Sequence, residues 1–541
     1  MRKLLLFSFS AALLMAVLFP SCSREVENKS AVVVPDDNKD KSIENLDSVS
    51  MPDSLDTEKD SIAHKTDTIE YVNPQFLSFS FKSADNPDKL KEDIECKIVG
   101  DSIVECWLSG IQTNKKLIPS FTFNGDGVFI DSIEIKSGIT KCNFKRPLTF
   151  KVVSGNKYRN YSIYVHAYTG IPIIWIRTEG SKEIISKSSY LKASFRLVED
   201  VVTRSPGDIV EADVQIKGRG NTTWGHRMPK KSYRLKFFEK QSLLSEPKDK
   251  SWVLLANYID NTMLRNQVAS FLGLISNLDY TPKFHFVELI LNGKYNGTYQ
   301  LGDKIKISKH RVNVGDDGFL LEIDARANDG DISFKANHLK SAIVIKDPDV
   351  EKDDSNYVYV RDYVLKAEEA LFSDHFKDPD TGWQKYMDID SFVDWYLINE
   401  IAKNNDAHLY ASCFMNLQRG GKLKMGPIWD FDLAFGNTSM NHTDEPEGLW
   451  VGKSTWYSRL LKDPVFKAKV RERFSYFYSK RDNIMREIDE NASYLRYSVK
   501  ENNDRWGRLS SSDPWKAYQK EVNALKDWIT ARLDWLNTEF Q

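Results

Sequence analysis

The chain has 541 residues, more than one compact core usually holds, so two or three domains are expected. Lysine and arginine number 75 against 77 acidic residues, and the resulting net charge of −2 indicates neither a nucleic-acid partner nor an acidic, calcium-soaking protein. Hydrophobic residues make up 41% of the chain, which is enough for sizeable cores.

The N-terminus predicts export. Two basic residues precede an apolar run over 4–19, which is too short for a comfortable membrane span, and Cys22 follows shortly after. The placement of Cys22 resembles a bacterial lipoprotein box, so residues 1–21 are predicted to be a signal peptide and Cys22 the lipidated first residue. An ordinary cleaved signal with a chance cysteine is the alternative. We expect a cell-envelope lipoprotein, at the outer membrane or cell surface, that meets the membrane through its N-terminal lipid alone.

Two segments precede the main domain. Residues 22–74 are polar and acidic and cannot bury enough apolar area to offset ordering entropy, so they predict a flexible, disordered tether to the lipid anchor. Short alternating runs over 75–169 predict a small all-β sandwich. It resembles the immunoglobulin-like modules of Bacteroidota surface lipoproteins, which implies a spacing role, with weak ligand binding as the alternative. Cys96 and Cys106 lie on two such runs, and the sequence allows either a disulfide between them or two separate buried thiols.

Residues 170–541 predict one α+β domain with two lobes, because strands come first and helices afterwards. Alternating or apolar runs favour strands, and apolar residues at three- and four-residue spacing favour helices. The predicted strands are 192–198, 212–217, 232–237, 284–291 and 318–324, and the predicted helices are 356–372, 390–403, 464–492 and 515–539.

A glycine-rich segment over 217–225 follows one of these strands. Gly218 and Gly220 allow a tight turn that brings backbone amides close to an anion, with Arg219 and Asn221 adding side-chain donors. The spacing matches neither a Walker A loop nor a Rossmann fingerprint. A plain glycine-rich hairpin turn is the alternative to an anion site.

Lys231 is a candidate phosphate-binding lysine. If the strand over 232–237 extends to it, Lys231 shares the apolar face of Tyr233 and Leu235, where a charged group needs an anionic partner. A solvated surface lysine is the alternative. Further along, Asn292-Gly293 between two apolar runs predicts a hairpin, on which Glu288 is expected to be a cross-strand surface charge.

Two acidic clusters could carry chemistry. Asp406 lies in a polar group just after an apolar helix, where it either belongs to a capping loop or stands at the mouth of a cleft. In an extended stretch, Asp430 and Asp432 would point to the same side and repel each other unless a cation lies between them. Such hard oxygen ligands suit Mg²⁺, Mn²⁺ or Ca²⁺. Neutralisation by arginine or by backbone donors is the alternative.

Taken in order, these segments resemble the CotH kinase family, whose members are similar to spore coat protein H. The resemblance covers roughly residues 171 to 480. The motifs that carry it are Gly-Arg-Gly-Asn-Thr-Thr at 218–223, Lys-Lys-Ser-Tyr-Arg-Leu-Lys-Phe at 230–237, the segments 252–260 and 264–266, the hairpin over 288–301, and the segments 318–324, 404–406 and 429–432.

The resemblance implies an atypical protein-kinase-like fold that transfers phosphate from ATP to serine or threonine of another protein. Arg219 and Lys231 would then lie near the nucleotide phosphates, with Gly218, Gly220 and Asn221 around them.

The resemblance also implies roles for the acids. Asp406 would be the catalytic carboxylate, acting with Lys231, and Asp430, helped by Asp432, would hold Mg²⁺ or Mn²⁺. Because ATP is scarce outside the cytoplasm, a surface binding or structural protein that keeps the fold and a cation site, without phosphoryl transfer, is the alternative. Hydrolysis of a glycan is disfavoured, because the two aspartates are too close for acid and base across a glycosidic bond.

Overall fold

The structure is a computed structural model that describes residues 72–108, 115–199, 209–225, 228–352 and 354–541. The predicted signal peptide, the lipidated Cys22 and nearly all of the predicted tether lie outside the described residues. Among the helices that are described, none is both long and apolar enough to cross a membrane.

The first part of the described chain is all β. Its strands form a three-stranded sheet in the order β2-β1-β6, a six-stranded sheet in the order β3-β4-β11-β10-β7-β8, and the pair β5-β9. The strands are β1 (Gln75–Phe81), β2 (Ile94–Glu95), β3 (Lys97–Val99), β4 (Ile103–Leu108), β5 (Lys116–Leu117), β6 (Ser120–Asn124), β7 (Gly127–Ile130), β8 (Ile133–Glu134), β9 (Cys142–Asn143), β10 (Leu148–Ser154) and β11 (Lys157–Ala167).

These sheets enclose a core of their own, rich in phenylalanine, that includes Phe79, Phe81 and Phe150. Cys96 and Cys106 form a disulfide, which decides between the two states that the sequence left open. β7 and β8 form a hairpin, and Asp131 takes a positive φ between them. The immunoglobulin-like topology stays a prediction.

The next seven strands close into a barrel in the order β12-β13-β14-β15-β16-β18-β17. Its neighbours are antiparallel except β12 and β17, which run parallel where the barrel closes. The strands are β12 (Ile173–Thr178), β13 (Leu191–Val198), β14 (Ile209–Arg219), β15 (Ser232–Gln241), β16 (Asp249–Leu255), β17 (Phe284–Leu291) and β18 (Lys294–Asp303).

Side chains of alternate residues along the strands point inward and fill the barrel. On β15, Tyr233, Leu235 and Phe237 point into the barrel core, as the sequence predicted, while the residues between them face outward. The hairpin at Asn292-Gly293 is confirmed, with both residues at positive φ between β17 and β18. These two residue types adopt that conformation readily, which explains why the local sequence was sufficient.

A five-stranded sheet in the order β20-β21-β19-β22-β23 and a group of helices complete the chain, so the fold is mixed α+β. The strands are β19 (Phe319–Asp324), β20 (Ser333–Phe334), β21 (Ala342–Asp347), β22 (Cys413–Leu417) and β23 (Leu423–Met425). The helices are α1 (Arg265–Leu274), α2 (Ser355–Phe372), α3 (Ile389–Ile401), α4 (Thr455–Leu460), α5 (Pro464–Ser479), α6 (Arg481–Tyr494), α7 (Ser498–Trp506) and α8 (Pro514–Glu539).

One helix prediction needs correction, and three helices were not predicted. The single helix expected over 464–492 is two helices, α5 and α6, which meet at Lys480. Apolar periodicity continues across the break, so it did not reveal the change of direction. Helices α1, α4 and α7 were not predicted. The first and last of these bury polar residues at contacts that depend on distant segments, and α4 is only six residues long.

Helix α3 runs through the helical core and is buried from Ser391 to its last residue, Ile401. At its end, the fully buried Glu400 forms an ion pair of 2.7 Å with the fully buried Arg532 of α8. The carboxylate of Glu400 also accepts hydrogen bonds of 2.7 Å from the backbone amides of Trp450 and Gly452. This network fixes the chain immediately before residues 404–408.

We expect Arg532→Met to lower the free energy of unfolding by about 3–5 kcal/mol, because it leaves the charge of Glu400 buried without a cationic partner. The measurement is urea unfolding followed by circular dichroism. Lys526→Met on the same helix, which removes an exposed pair with Asp489, is the matched control and should cost about 1 kcal/mol or less. Equal losses for the two variants would contradict this account of α3.

Candidate active site

Three segments meet beside the barrel: the end of β14, the turn after α3, and residues 426–436. The guanidinium of Arg219, the last residue of β14, lies 5.2 Å from the ring centre of Trp429. Arg265 at the start of α1 donates to the carbonyls of Ala434 and Phe435, at 3.1 and 3.3 Å. The backbone amide of Asn405 donates to the carbonyl of Leu433 at 3.4 Å. The charges of Asp430, Asp406 and Arg219 act on Asp432, so these four candidate residues lie close together, in a site called the acidic cleft below.

Asp406 lies on a 3-10 turn, Asn405–Ala407, directly after α3. Its Oδ2 accepts a hydrogen bond from Arg326 at 2.9 Å, and its Oδ1 accepts one from Asn405 at 3.1 Å. The side chain of Asn404 accepts from the Asp406 amide and donates to the carbonyl of Asp430. The carboxylate is therefore oriented from two sides and tied to the second acidic segment.

Asp430 is not part of an extended stretch, contrary to the sequence-based expectation. Its φ is +66°, in the left-handed region that non-glycine residues seldom occupy. The amide of the next residue, Phe431, donates to Asn266 at 2.9 Å, which helps to hold this conformation. Backbone strain of this kind concentrates at functional sites. Despite the bend, the carboxylates of Asp430 and Asp432 still share one cleft.

The two carboxylates are poorly neutralised. Burial raises the pKa of Asp432 well above its usual range, and the charges of Asp430 and Asp406 raise it further. Burial also raises the pKa of Asp430, against the opposing charge of Arg219. Within the described part of the chain neither carboxylate has a salt bridge. The arginine or backbone neutralisation that stood as the alternative is therefore incomplete.

A divalent cation fits this pair of carboxylates. Among the described residues no group of three or more histidine, cysteine, aspartate or glutamate side chains is arranged to hold a metal. Mg²⁺, however, commonly takes one or two carboxylates and keeps water or phosphate oxygens as its other ligands. Asp430 and Asp432 could serve in that way, whereas an all-protein calcium cage does not fit them.

The glycine-rich segment is shaped by Trp224. A Cβ at Gly218 would lie 2.2 Å from the indole of Trp224, so only glycine fits there, and Gly220 has a φ of +89°. The side chain of Asn221 is exposed and accepts a hydrogen bond from Lys187 at 3.3 Å. Gly218 and Asn221 thus contact the neighbouring segment at Ser186 and Lys187. Of the candidate residues in this loop, Arg219 contacts the segment 426–436 through Trp429.

Lys231 lies just before β15 rather than on it. Its ammonium group donates to the carbonyl of Gly225 at 3.1 Å and lies 5.6 Å from the ring centre of Trp224. The neighbouring Lys230 is the buried lysine: it donates to Asn502 at 3.0 Å and to the carbonyl of Thr298, and burial lowers its pKa to about 7. It is therefore Lys230, and not Lys231, whose charged side chain is buried.

The sequence missed two charged residues of the cleft. Glu322 on β19 is 8% exposed and forms an ion pair of 3.0 Å with Lys346 on β21. Burial raises the pKa of Glu322, and the charge of Asp430 adds to that rise. Arg326 follows the same strand and binds Asp406. A buried acid inside the apolar strand 318–324 was the available signal.

Glu288 is not a surface charge. It is 2% exposed on β17, where its carboxylate accepts hydrogen bonds from Tyr295 at 2.6 Å and from Thr169 at 2.7 Å. Burial raises its pKa. The hydroxyl of Thr298 donates to Glu288 at 3.4 Å and contacts the hydroxyl of Ser498 on α7. Glu288 therefore has a structural position outside the acidic cleft.

The geometry agrees with a comparison of sequences. Residues 214–536, more than half of the chain, match the family described as CotH kinase protein. The chain belongs to the CotH kinase protein family. The matched range includes Arg219, Asp406, Asp430 and Asp432, and it leaves the N-terminal β part outside.

Other comparisons add little about this family member. A crystal structure provisionally described as a glycoside hydrolase from Bacteroides thetaiotaomicron is similar at 15% sequence identity, over 52% of this chain and 80% of that one, with a TM-score of 0.17. A TM-score this low carries no argument about fold or activity. Among curated proteins, none matches the chain.

We expect Asp432→Asn to raise the melting temperature at pH 7 in EDTA. Because the pKa of Asp432 is higher in the folded than in the unfolded state, its ionisation destabilises the fold as pH rises through that interval. The gain should vanish near pH 3, where both states are protonated. Differential scanning calorimetry measures it, with the exposed Asp489→Asn as control. A lower melting temperature at pH 7 would contradict the repulsion described above.

Proposed function

We propose that this CotH-family chain is an exported, membrane-anchored atypical protein kinase that transfers phosphate from ATP to serine or threonine of a surface or secreted protein. The observation that carries the proposal is the placement of Asp406, Asp430 and Asp432 in one cleft beside Arg219. In this proposal the barrel forms one lobe of a kinase-like domain, and the five-stranded sheet with the helices forms the other.

Asp406 would orient the acceptor hydroxyl and take its proton. As the hydroxyl oxygen bonds to the terminal phosphorus, the bond from that phosphorus to its bridging oxygen breaks, and the nucleoside diphosphate leaves with the electron pair. The hydrogen bonds from Arg326 and Asn405 hold the carboxylate in one orientation, which phosphoryl transfer requires more than acid strength.

Asp430 and Asp432 would hold Mg²⁺ or Mn²⁺, which when bound neutralises the phosphate oxygens. The raised pKa values of both side chains support this role, because a cation would relieve their repulsion. Arg219 would place its positive charge beside the same phosphates.

The glycine-rich loop would border the nucleotide. Arg219 stands at its start, and Gly218, Gly220 and Asn221 shape it. Lys231 contributes by holding the carbonyl of Gly225 at the end of the loop. In an exported lipoprotein anchored through Cys22, the acceptor would be a protein that is met during or after export.

Labelled ATP with Mg²⁺ or Mn²⁺ tests the proposal. The full chain in detergent should phosphorylate itself or a serine-rich secreted protein, and Asp406→Asn and Asp430→Asn should each lower the rate about 100-fold or more. The exposed Asp374→Asn is the control and should leave the rate unchanged.

Metal binding separates the roles of the two acids. Thermal shift with Mn²⁺ and ATP should persist in Asp406→Asn and disappear in Asp430→Asn. A wild-type chain that responds to neither nucleotide nor metal would contradict the kinase proposal. A response to the cation without any response to nucleotide would favour a surface binding protein that keeps the fold.

A further inference from the structure

We propose that the outward face of the barrel beside the acidic cleft binds a polyphosphate chain, with Arg234 as its central cation and Lys217, Lys304 and Arg219 around it. This inference rests on the proposed function. It assigns to the phosphates three residues that the sequence did not single out, Arg234, Lys217 and Lys304. It also moves the binding of those phosphates away from Lys231.

Strand register places Lys217, Arg219 and Arg234 on one surface. Lys217 on β14 is directly opposite Arg234 on β15, and Arg219 is opposite Ser232 one repeat further along. The residues that alternate with them, such as Ile216 and Leu235, fill the barrel core. Lys217, Arg219 and Arg234 therefore lie on the outer face, and Arg219 extends that face to Trp429 and the acidic cleft.

Arg234 has polar atoms without partners. Its Nε is buried and lacks a hydrogen-bond acceptor, and no carboxylate of the described chain forms an ion pair with it. The hydroxyl of Tyr190 is also buried without a partner, and the ammonium of Lys217 lies 4.6 Å from the ring centre of Tyr190. A buried donor that stays unpaired costs about 1–3 kcal/mol, so a ligand oxygen would relieve this arrangement.

The positive charges around Arg234 are only partly balanced by acids, since Asp347 acts on Lys304 and Asp430 acts on Arg219. Burial lowers the pKa of Lys304 to about 8, and the charge of Arg234 is the next largest cause. The pKa of Lys217 is likewise lowered, by burial and then by Arg234. The nearby Lys346 is already occupied by Glu322. Clustered like charges without counterions repel, and binding of an anion would offset the repulsion.

A linear phosphate chain suits this surface better than a single phosphate. It offers several charged oxygens in a row, and arginine binds phosphate oxygens through its planar fork of donors. Arg219 lies between the basic surface and Asp430, so the end of the chain would reach the carboxylates. A nucleoside triphosphate has this chemistry, and so has an inorganic polyphosphate.

Calorimetric titration of the full chain in detergent tests the inference with two ligands, ATP and inorganic tripolyphosphate. Arg234→Gln should raise the dissociation constant for both about 10-fold or more, since it removes charged hydrogen bonds. Lys236→Gln is the matched control: it lies two residues further along the same face of β15, is exposed, and should change binding less than about twofold.

The outcomes are distinct. Normal binding of both ligands by Arg234→Gln would overturn the inference, as would a wild-type chain that binds neither. Tighter binding of ATP than of tripolyphosphate identifies a nucleotide as the source, and equal binding identifies the phosphate chain alone. If Arg234→Gln does not fold, Lys304→Gln is used, with the same expected direction.

The two proposals fail separately. If Arg234→Gln loses tripolyphosphate binding while the wild-type chain shows no transferase activity, the binding surface is supported and the kinase proposal is contradicted. If Arg234→Gln binds both ligands and transfers phosphate as the wild-type chain does, the binding surface is contradicted and the kinase proposal is supported.

Discussion

The repulsion among Asp406, Asp430 and Asp432 is the constraint on which the candidate site depends. Burial and mutual repulsion raise the pKa values of Asp430 and Asp432, so the ionised form of these carboxyls is disfavoured unless a positive charge lies beside them. Such an arrangement persists because the surrounding structure fixes it, and a bound cation would relieve it. Arg219 and Arg326 offset part of the charge, and a divalent cation with phosphate would offset the rest.

The scaffold around these acids consists of buried polar contacts rather than apolar packing alone. The pair of Arg532 and Glu400 ties α8 to the end of α3, just before the turn that carries Asp406. The ammonium of Lys403 donates to three carbonyls of the loop over 442–447. Asn266 from α1 binds the backbone beside Asp430. Each contact joins segments far apart in sequence, so distant substitutions should affect the site.

Local patterns predicted several of the longer strands, most of the longer helices and the hairpin at Asn292-Gly293, because periodicity and turn chemistry act over a few residues. Ordered motifs were enough to recognise the family and to group Asp406 with Asp430. Contacts between distant segments were not visible. The left-handed backbone of Asp430, the burial of Glu288 and the outward surface around Arg234 all depend on how the strands pair and pack, which one sequence does not reveal.

The most direct test of the account is anomalous diffraction from crystals soaked with Mn²⁺ and a non-hydrolysable ATP analogue. The account predicts a manganese peak within roughly 2 Å of a carboxylate oxygen of Asp430, bridged to the terminal phosphate, with that phosphate facing Asp406. A bound triphosphate with no peak at Asp430, or with its terminal phosphate turned away from Asp406, would contradict it.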